Sequence, residues 1–184
     1  MSANDILNAA AALRSGGVIA YPTEAVYGLG CDPGNRDAVA RLFALKQRPS
    51  DVGVLLIAAD IAQIEPFLGA VPPEAFARAR ATWPGPHTWI FPRSATTPDW
   101  IAGAHQGIAL RVTAHPIAAA ICRAFGGAIV STSANRHGQP PARSAAEVRA
   151  AFDDELACIV DGATGGLERP TPIRDAMTGD VLRA

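Results

Sequence analysis

The chain has 184 residues, 16 basic and 17 acidic side chains, a net charge of −1 and 49% apolar against 18% charged residues, a balance that excludes intrinsic disorder and a constitutively basic nucleic-acid binder. One ordinary domain over residues 1–184 is expected from that length. Three cysteines, Cys31, Cys122 and Cys158, are odd in number and far apart, so they form neither a disulfide framework nor a zinc site and suit a reducing cytoplasm.

Helical and strand patterns alternate along the chain. Residues 5–15 read as a helix capped by Asn4, with Ile6, Leu7, Ala10 and Leu13 on one face and Gly16-Gly17 as the stop. Asp5 sits too early, without a basic-then-apolar order, for a signal peptide. Residues 18–21 read as a short buried strand and residues 22–33, holding PTEAVYGLGCDP, as a loop. Asn35 caps a helix to about Gln47, whose stripe is Val39, Leu42, Phe43 and Lys46, and Arg48-Pro49-Ser50-Asp51 breaks it. Residues 53–58 form a strand, then one helix starts at Asp60 and another spans residues 72–82. Residues 87–92 and 108–112 read as strands with an irregular stretch between them, 115–125 as a helix, 128–131 as a strand and 131–141 as a polar loop. A helix over 144–152, a strand over 158–161 and a closing hairpin over 172–183, turning at Thr178-Gly179-Asp180, complete the chain. No apolar run approaches the ~18 residues of a membrane span. The alternation predicts α/β architecture, with ligand chemistry in the loops at strand ends.

Of the basic residues, Lys46 is the single lysine. Lysine is a compact point charge with three donors, whereas arginine is a planar fork. Lys46-Gln47-Arg48, at a helix end running into a proline-broken loop, therefore suits a polyphosphate, though a solvated basic helix end would look the same. Ser131-Thr132-Ser133-Ala134-Asn135 follows a buried strand directly and offers three hydroxyls and an amide to an anion, or simply a polar turn. Arg111 ends another strand in an equivalent place. Gly28, Gly30 and Gly34 give G-x-G-x-x-x-G, which fails the spacing of a dinucleotide fingerprint, and no helix opens at them. The four histidines lack metal-ligand spacing and no serine sits in G-x-S-x-G, so neither a side-chain metal site nor a serine hydrolase is expected.

Six landmarks in order resemble one family. Residues 17–30 (GVIAYPTEAVYGLG) are similar to the opening of the TsaC/YrdC threonylcarbamoyl-AMP synthases, Lys46-Gln47-Arg48 to their K-x-R and Ser133-Ala134-Asn135 to their S-x-N. Trp83-Pro84-Gly85-Pro86-His87-Thr88, Leu110-Arg111-Val112 before His115-Pro116, and Ile173-Arg174-Asp175 also match. The length resembles the short bacterial branch. The resemblance implies a twisted open sheet of mixed parallel and antiparallel strands with helices on its faces and a concave basic groove. It implies the conversion of L-threonine, bicarbonate and ATP to threonylcarbamoyl-adenylate and pyrophosphate. A partner transferase then modifies tRNAs that read codons starting with A, in the cytoplasm and without a membrane.

By that resemblance Lys46, Arg48, Ser133, Asn135 and Arg183 bind ATP, the first four acting in catalysis. Thr23, Arg111, Ser131 and Thr171 bind threonine, Arg111 through the carboxylate. Mg²⁺ is expected on the nucleotide rather than in a protein cage. A lid is expected over residues 47–53, because the mixed anhydride hydrolyses easily. The sequence departs from the family in four places. Arg48-Pro49-Ser50-Asp51-Val52-Gly53-Val54 stands where relatives read R-P-x-x-x-P-L, and Ile57 falls where they have a histidine. Pro141 replaces a nucleotide-contacting serine, and Thr171-Pro172-Ile173 replaces S-T-I. Two rival functions remain: a double-stranded RNA, tRNA-binding or ribosome-maturation protein without ATP turnover, and a carbamoyl-adenylate synthase fed by carbamoyl phosphate.

Overall fold

The computed structural model describes residues 2–49 and 52–183. Helix α1 (Ala3–Arg14) leads into strands β1 (Ile19–Pro22) and β2 (Tyr27–Gly30), then helix α2 (Arg36–Lys46) and strand β3 (Leu55–Ala58). Helix α3 (Pro73–Arg80), strand β4 (Thr88–Pro92), helix α4 (Asp99–Ala102) and strand β5 (Gly107–Val112) follow. Helix α5 (Pro116–Phe125), strand β6 (Ile129–Ser133), helix α6 (Ala145–Phe152) and strands β7 (Cys158–Ile159), β8 (Ile173–Asp175) and β9 (Val181–Arg183) complete the described chain. The strands form one sheet in the order β7-β1-β2-β6-β3-β5-β4-β8-β9. β1–β7, β3–β5 and β4–β8 pair in parallel, the other neighbours antiparallel, which is the expected mixed open sheet.

Successive strand residues face opposite sides, so each strand splits its apolar side chains between two cores. Leu29, Leu56, Leu110 and Val130 pack with Val39, Leu42 and Phe43 of α2, Ala79 of α3 and Val148 and Phe152 of α6. Ile19, Tyr21, Ile57 and Ile129 face the other way, onto Ile6, Ala9 and Leu13 of α1 and Ile117, Ile121 and Cys122 of α5. Each such aliphatic side chain contributes about 1.5–3 kcal/mol on burial. Along this second face polar side chains follow the apolar ones in β6 and β5. In β6, Ile129 is followed on the same face by Ser131 and Ser133. In β5, Arg111 lies in register with Ile57 of β3. β6 also changes partner there: Ile129 and Ser131 pair with β3, while Thr132 and Ser133 pair with β2.

The structure corrects several sequence expectations. α1 begins earlier, capped by Ser2 rather than Asn4: the Ser2 hydroxyl accepts from Asp5 N and the Asp5 carboxylate accepts from Ser2 N. The expected loop over residues 22–33 contains β2, so Gly28 and Gly30 are strand residues. No helix starts at Asp60. Pro66 denies a donor there, and Gln63 is drawn away by Ala59 N and Cys122 O, leaving turns and the 3₁₀ helix Glu65–Phe67. The irregular stretch between β4 and β5 contains α4. By contrast, Asn35 caps α2 through Ala38 N as expected, and β8 and β9 make the closing antiparallel pair. No described helix is long and apolar enough to cross a membrane.

Candidate active site

The uncovered half of the sheet face is the floor of a cavity of about 680 Å³, within the roughly 300–1,000 Å³ of small-molecule sites. Gly28, Ser131, Ser133, Ala109, Arg111, Thr88 and Ile90 line it from the strands. Thr23, Arg48, Val52, Gly53, His105, Gln106, Thr171 and Arg183 line it from loops and the chain's end. Three arginines reach it, and none of its described lining residues is an aspartate or glutamate.

Seven of the nine sequence-derived site residues thus meet in one place: Thr23, Arg48, Arg111, Ser131, Ser133, Thr171 and Arg183. Lys46 and Asn135 are not among the lining residues. They are tied to Ser133 instead. Lys46 Nζ donates to Ser133 O at 2.5 Å, Asn135 O at 2.8 Å and Asn135 Oδ1 at 3.3 Å, a use of three tetrahedral donors that a planar guanidinium could not copy. Ser133 Oγ donates to Asn135 Oδ1 at 2.6 Å, and Asn135 Nδ2 donates to Gln139 O at 2.7 Å. Lys46 is only 4% exposed. Burial, with the charge of Arg48 beside it, pulls its ammonium down to about 8.

α2 ends with Gln47 in the left-handed conformation at φ 52°, which turns Arg48 towards the cavity. Arg48 Nη2 donates to Gly53 O at 3.3 Å and so ties the two ends of the segment expected to be a lid. Ser50 and Asp51, in the middle of that segment, lie outside the described residues.

Arg111 Nη1 donates to Thr171 Oγ1 at 2.9 Å and lies 3.9 Å from Glu24 Oε2. Its Nε is buried without a hydrogen-bond partner. Arg183 Nη2 donates to Thr171 O at 3.2 Å. The Thr23 hydroxyl donates to Val26 O at 2.7 Å, within its own turn. Tyr21 OH donates to Ser131 Oγ at 2.9 Å, fixing that hydroxyl from below, and burial pushes the Tyr21 phenol up so that it stays protonated. Among the described residues no group of three His, Cys, Asp or Glu side chains could hold a metal ion.

Sequence reasoning passed over Tyr21, Glu24, Thr88 and His105. Tyr21, Glu24 and Thr88 stand in the matching runs of the sequence, Thr88 also in the strand expected over 87–92, without a role of their own there. Their signal is period two: Thr88 shares the floor with Ile90 because the two lie two residues apart on β4.

A family model described as "Telomere recombination" (Sua5/YciO/YrdC) matches residues 11–184. A threonylcarbamoyl-AMP synthase from Halorhodospira halophila is 57% identical over 178 residues, 97% of this chain and 93% of the relative. A threonylcarbamoyl-AMP synthase from Coxiella burnetii is 52% identical, over 97% of this chain and 96% of its own. Among solved structures, P. abyssi Sua5 complexed with L-threonine is similar with a TM-score of 0.88 at 35% identity, covering 92% of this chain and 50% of that one. The chain spans about half the length of that solved protein.

Proposed function

The chain belongs to the Sua5/YciO/YrdC family, and from that premise we propose that it is a threonylcarbamoyl-AMP synthase, converting L-threonine, bicarbonate and ATP to L-threonylcarbamoyladenylate and pyrophosphate. The observation that carries the reading is a cavity to which Arg48, Arg111 and Arg183 all reach, with no described carboxylate in its lining, in a chain whose net charge is −1. Such a cavity suits a polyanion and a carboxylate together.

The threonine amine bonds to the carbon of bicarbonate, the amine loses a proton and bicarbonate its hydroxide, these leave together as water, and a carbamate remains. A carbamate oxygen then attacks the α-phosphorus of ATP, the bond to the β-phosphate bridge breaks, and pyrophosphate leaves with the electron pair. The protein forms no covalent bond in this scheme. It positions the reactants and neutralises the charge that builds on the leaving group. Arg48 faces the phosphates directly. Lys46 adds its charge through the Ser133–Asn135 turn it clasps, and that turn and Arg183 frame the nucleotide. Arg111 holds the threonine carboxylate, with Ser131, Thr171 and Thr23 around the amino acid. Mg²⁺ would be carried by the ATP phosphates, whose charge it would partly neutralise, rather than by side chains of the protein. Arg48 and Gly53, joined by a hydrogen bond, stand where water must be kept from the anhydride. The whole chain works as one domain in the cytoplasm, and its product goes to a partner that modifies tRNA.

Pyrophosphate release from ATP tests the reading. Release that requires both L-threonine and bicarbonate, yields the adenylate by mass spectrometry and falls at least tenfold in Arg48→Ala supports it. ATP left intact in every mixture, with RNA bound instead, overturns it in favour of an RNA-binding protein.

A further inference from the structure

Two buried polar atoms at the cavity floor have no partner in the protein, and they belong to neighbouring strands. Thr88 is 1% exposed, lines the cavity, and its Oγ1 makes no hydrogen bond. Arg111 is 4% exposed, lines the same cavity, and its Nε is equally unpartnered. β4 and β5 pair antiparallel with Trp89 opposite Leu110 and Ile90 opposite Ala109. One step further along, that register sets Thr88 across from Arg111 on the cavity face. Directly opposed residues of an antiparallel pair have Cβ atoms about 4.5–5.5 Å apart, the span across which two donors meet one carboxylate.

Folding rarely leaves such groups unsatisfied, since each costs about 1–3 kcal/mol when buried alone. One nitrogen of the Arg111 guanidinium is already committed. Nη1 is held by Thr171 Oγ1 and by the charge of Glu24, which fixes the guanidinium plane and leaves its Nε edge facing no protein acceptor. The main chain of Thr88 is held too: its backbone N donates to Pro172 O, and it pairs with Ile173 of β8. A hydroxyl and a guanidinium nitrogen on opposed strand positions thus have nothing of the protein to bond.

We propose that the Thr88 hydroxyl and the Nε edge of Arg111 form a two-donor clamp for the α-carboxylate of L-threonine, with Thr88 a substrate-contacting residue. This rests on the reading of the cavity as the synthase active site and adds a contact to it. A carboxylate has two oxygens, and the clamp supplies a charged donor for one and a hydroxyl for the other.

Thr88→Val keeps the shape and removes the hydroxyl. The expected result is a tenfold or greater rise in KM for L-threonine, an unchanged KM for ATP, and a melting temperature equal to or above that of the unaltered protein, because the lost hydroxyl had no protein partner. Thr88→Ser restores the hydroxyl and should keep KM for L-threonine within about threefold. An unchanged KM for L-threonine in Thr88→Val overturns the clamp, as does an equal rise in both KM values. If Thr88→Val does not fold, the hydroxyl has a structural role and the clamp is likewise overturned. Arg111→Gln separates the levels. Loss of threonine binding there with normal Thr88→Val removes the clamp alone, while normal threonine binding in Arg111→Gln removes the assignment of this end of the cavity as well.

Discussion

Glu24 Oε2 lies 3.9 Å from Arg111 Nη1, and both side chains are less than a tenth exposed. At that distance the pair is held by charge rather than by a hydrogen bond. Glu24 is anchored from the far side, where its Oε1 accepts from Thr113 Oγ1 at 2.6 Å and Ala114 N at 3.2 Å. The carboxylate therefore cannot swing into the cavity to neutralise Arg111, yet it keeps the guanidinium in place. Glu24→Gln keeps the anchoring oxygen and removes the charge. Breaking one side of a buried pair costs about 3–5 kcal/mol, so the urea midpoint should fall sharply, and KM for L-threonine should rise more than KM for ATP. Equal midpoints for the two proteins would show that the pair carries no stability.

Lys46 yields a prediction with two opposite signs. Its ammonium titrates near 8, depressed first by burial and then by Arg48. ATP affinity, measured without threonine or bicarbonate, should decline as pH rises through about 8, because the Ser133–Asn135 turn loses its charged clasp. Stability should move the other way from this group. In the unfolded chain the lysine keeps its proton to its ordinary value of 10.5, so between about 8 and 10.5 the unfolded state binds more protons and folding gains as pH rises. Lys46→Arg should abolish the alkaline limb. Lys46→Met should weaken ATP binding about ten- to hundredfold, the worth of a hydrogen bond to a charged group.

What was legible in the sequence depended on distance along the chain. α2 was readable because its cap Asn35, its apolar stripe and Lys46 at its last turn all lie within one helix. Arg111 and Ser131 were readable as strand-end residues. β2 was not, because YGLG has two glycines and glycine reads as a turn. The strand exists because the Tyr21 ring and the β6 backbone need the space those glycines leave, a requirement set by residues up to about a hundred positions away. Glu24 and Thr88 were missed for the same reason: their character comes from burial and from cross-strand neighbours, which no local pattern records.

The thiols test the packing of both faces. Cys31 sits in one core and Cys122 in the other, and burial pushes each thiol up to about 12. Cys158, only partly buried, is raised as well. In the folded protein at pH 8, a thiol reagent should label Cys158 alone and slowly, and all three cysteines should react in denaturant. Fast labelling of Cys31 or Cys122 in the native state would mean that one core opens readily.

Gly30 joins the fold to the site. A Cβ there would lie 2.7 Å from Val130 O and 2.8 Å from Cε1 of Tyr21, inside van der Waals contact with a backbone atom of β6 and with a buried ring. β6 cannot retreat, since it is paired on both sides, so the ring must move. Tyr21 carries the hydroxyl that fixes Ser131 Oγ on the cavity floor. Gly30→Ala should therefore destabilise the protein by about 1–3 kcal/mol, the usual cost of overpacking, seen as a lower urea midpoint. It should also raise KM for L-threonine, because the Ser131 hydroxyl loses its donor from below. Tyr21→Phe separates the two effects: it keeps the ring, removes the donor, and should reproduce the rise in KM with a smaller loss of stability. A Gly30→Ala protein with normal stability and normal threonine kinetics would show that β6 and the Tyr21 ring yield without consequence, and the glycine would then carry no link between the sheet and the site.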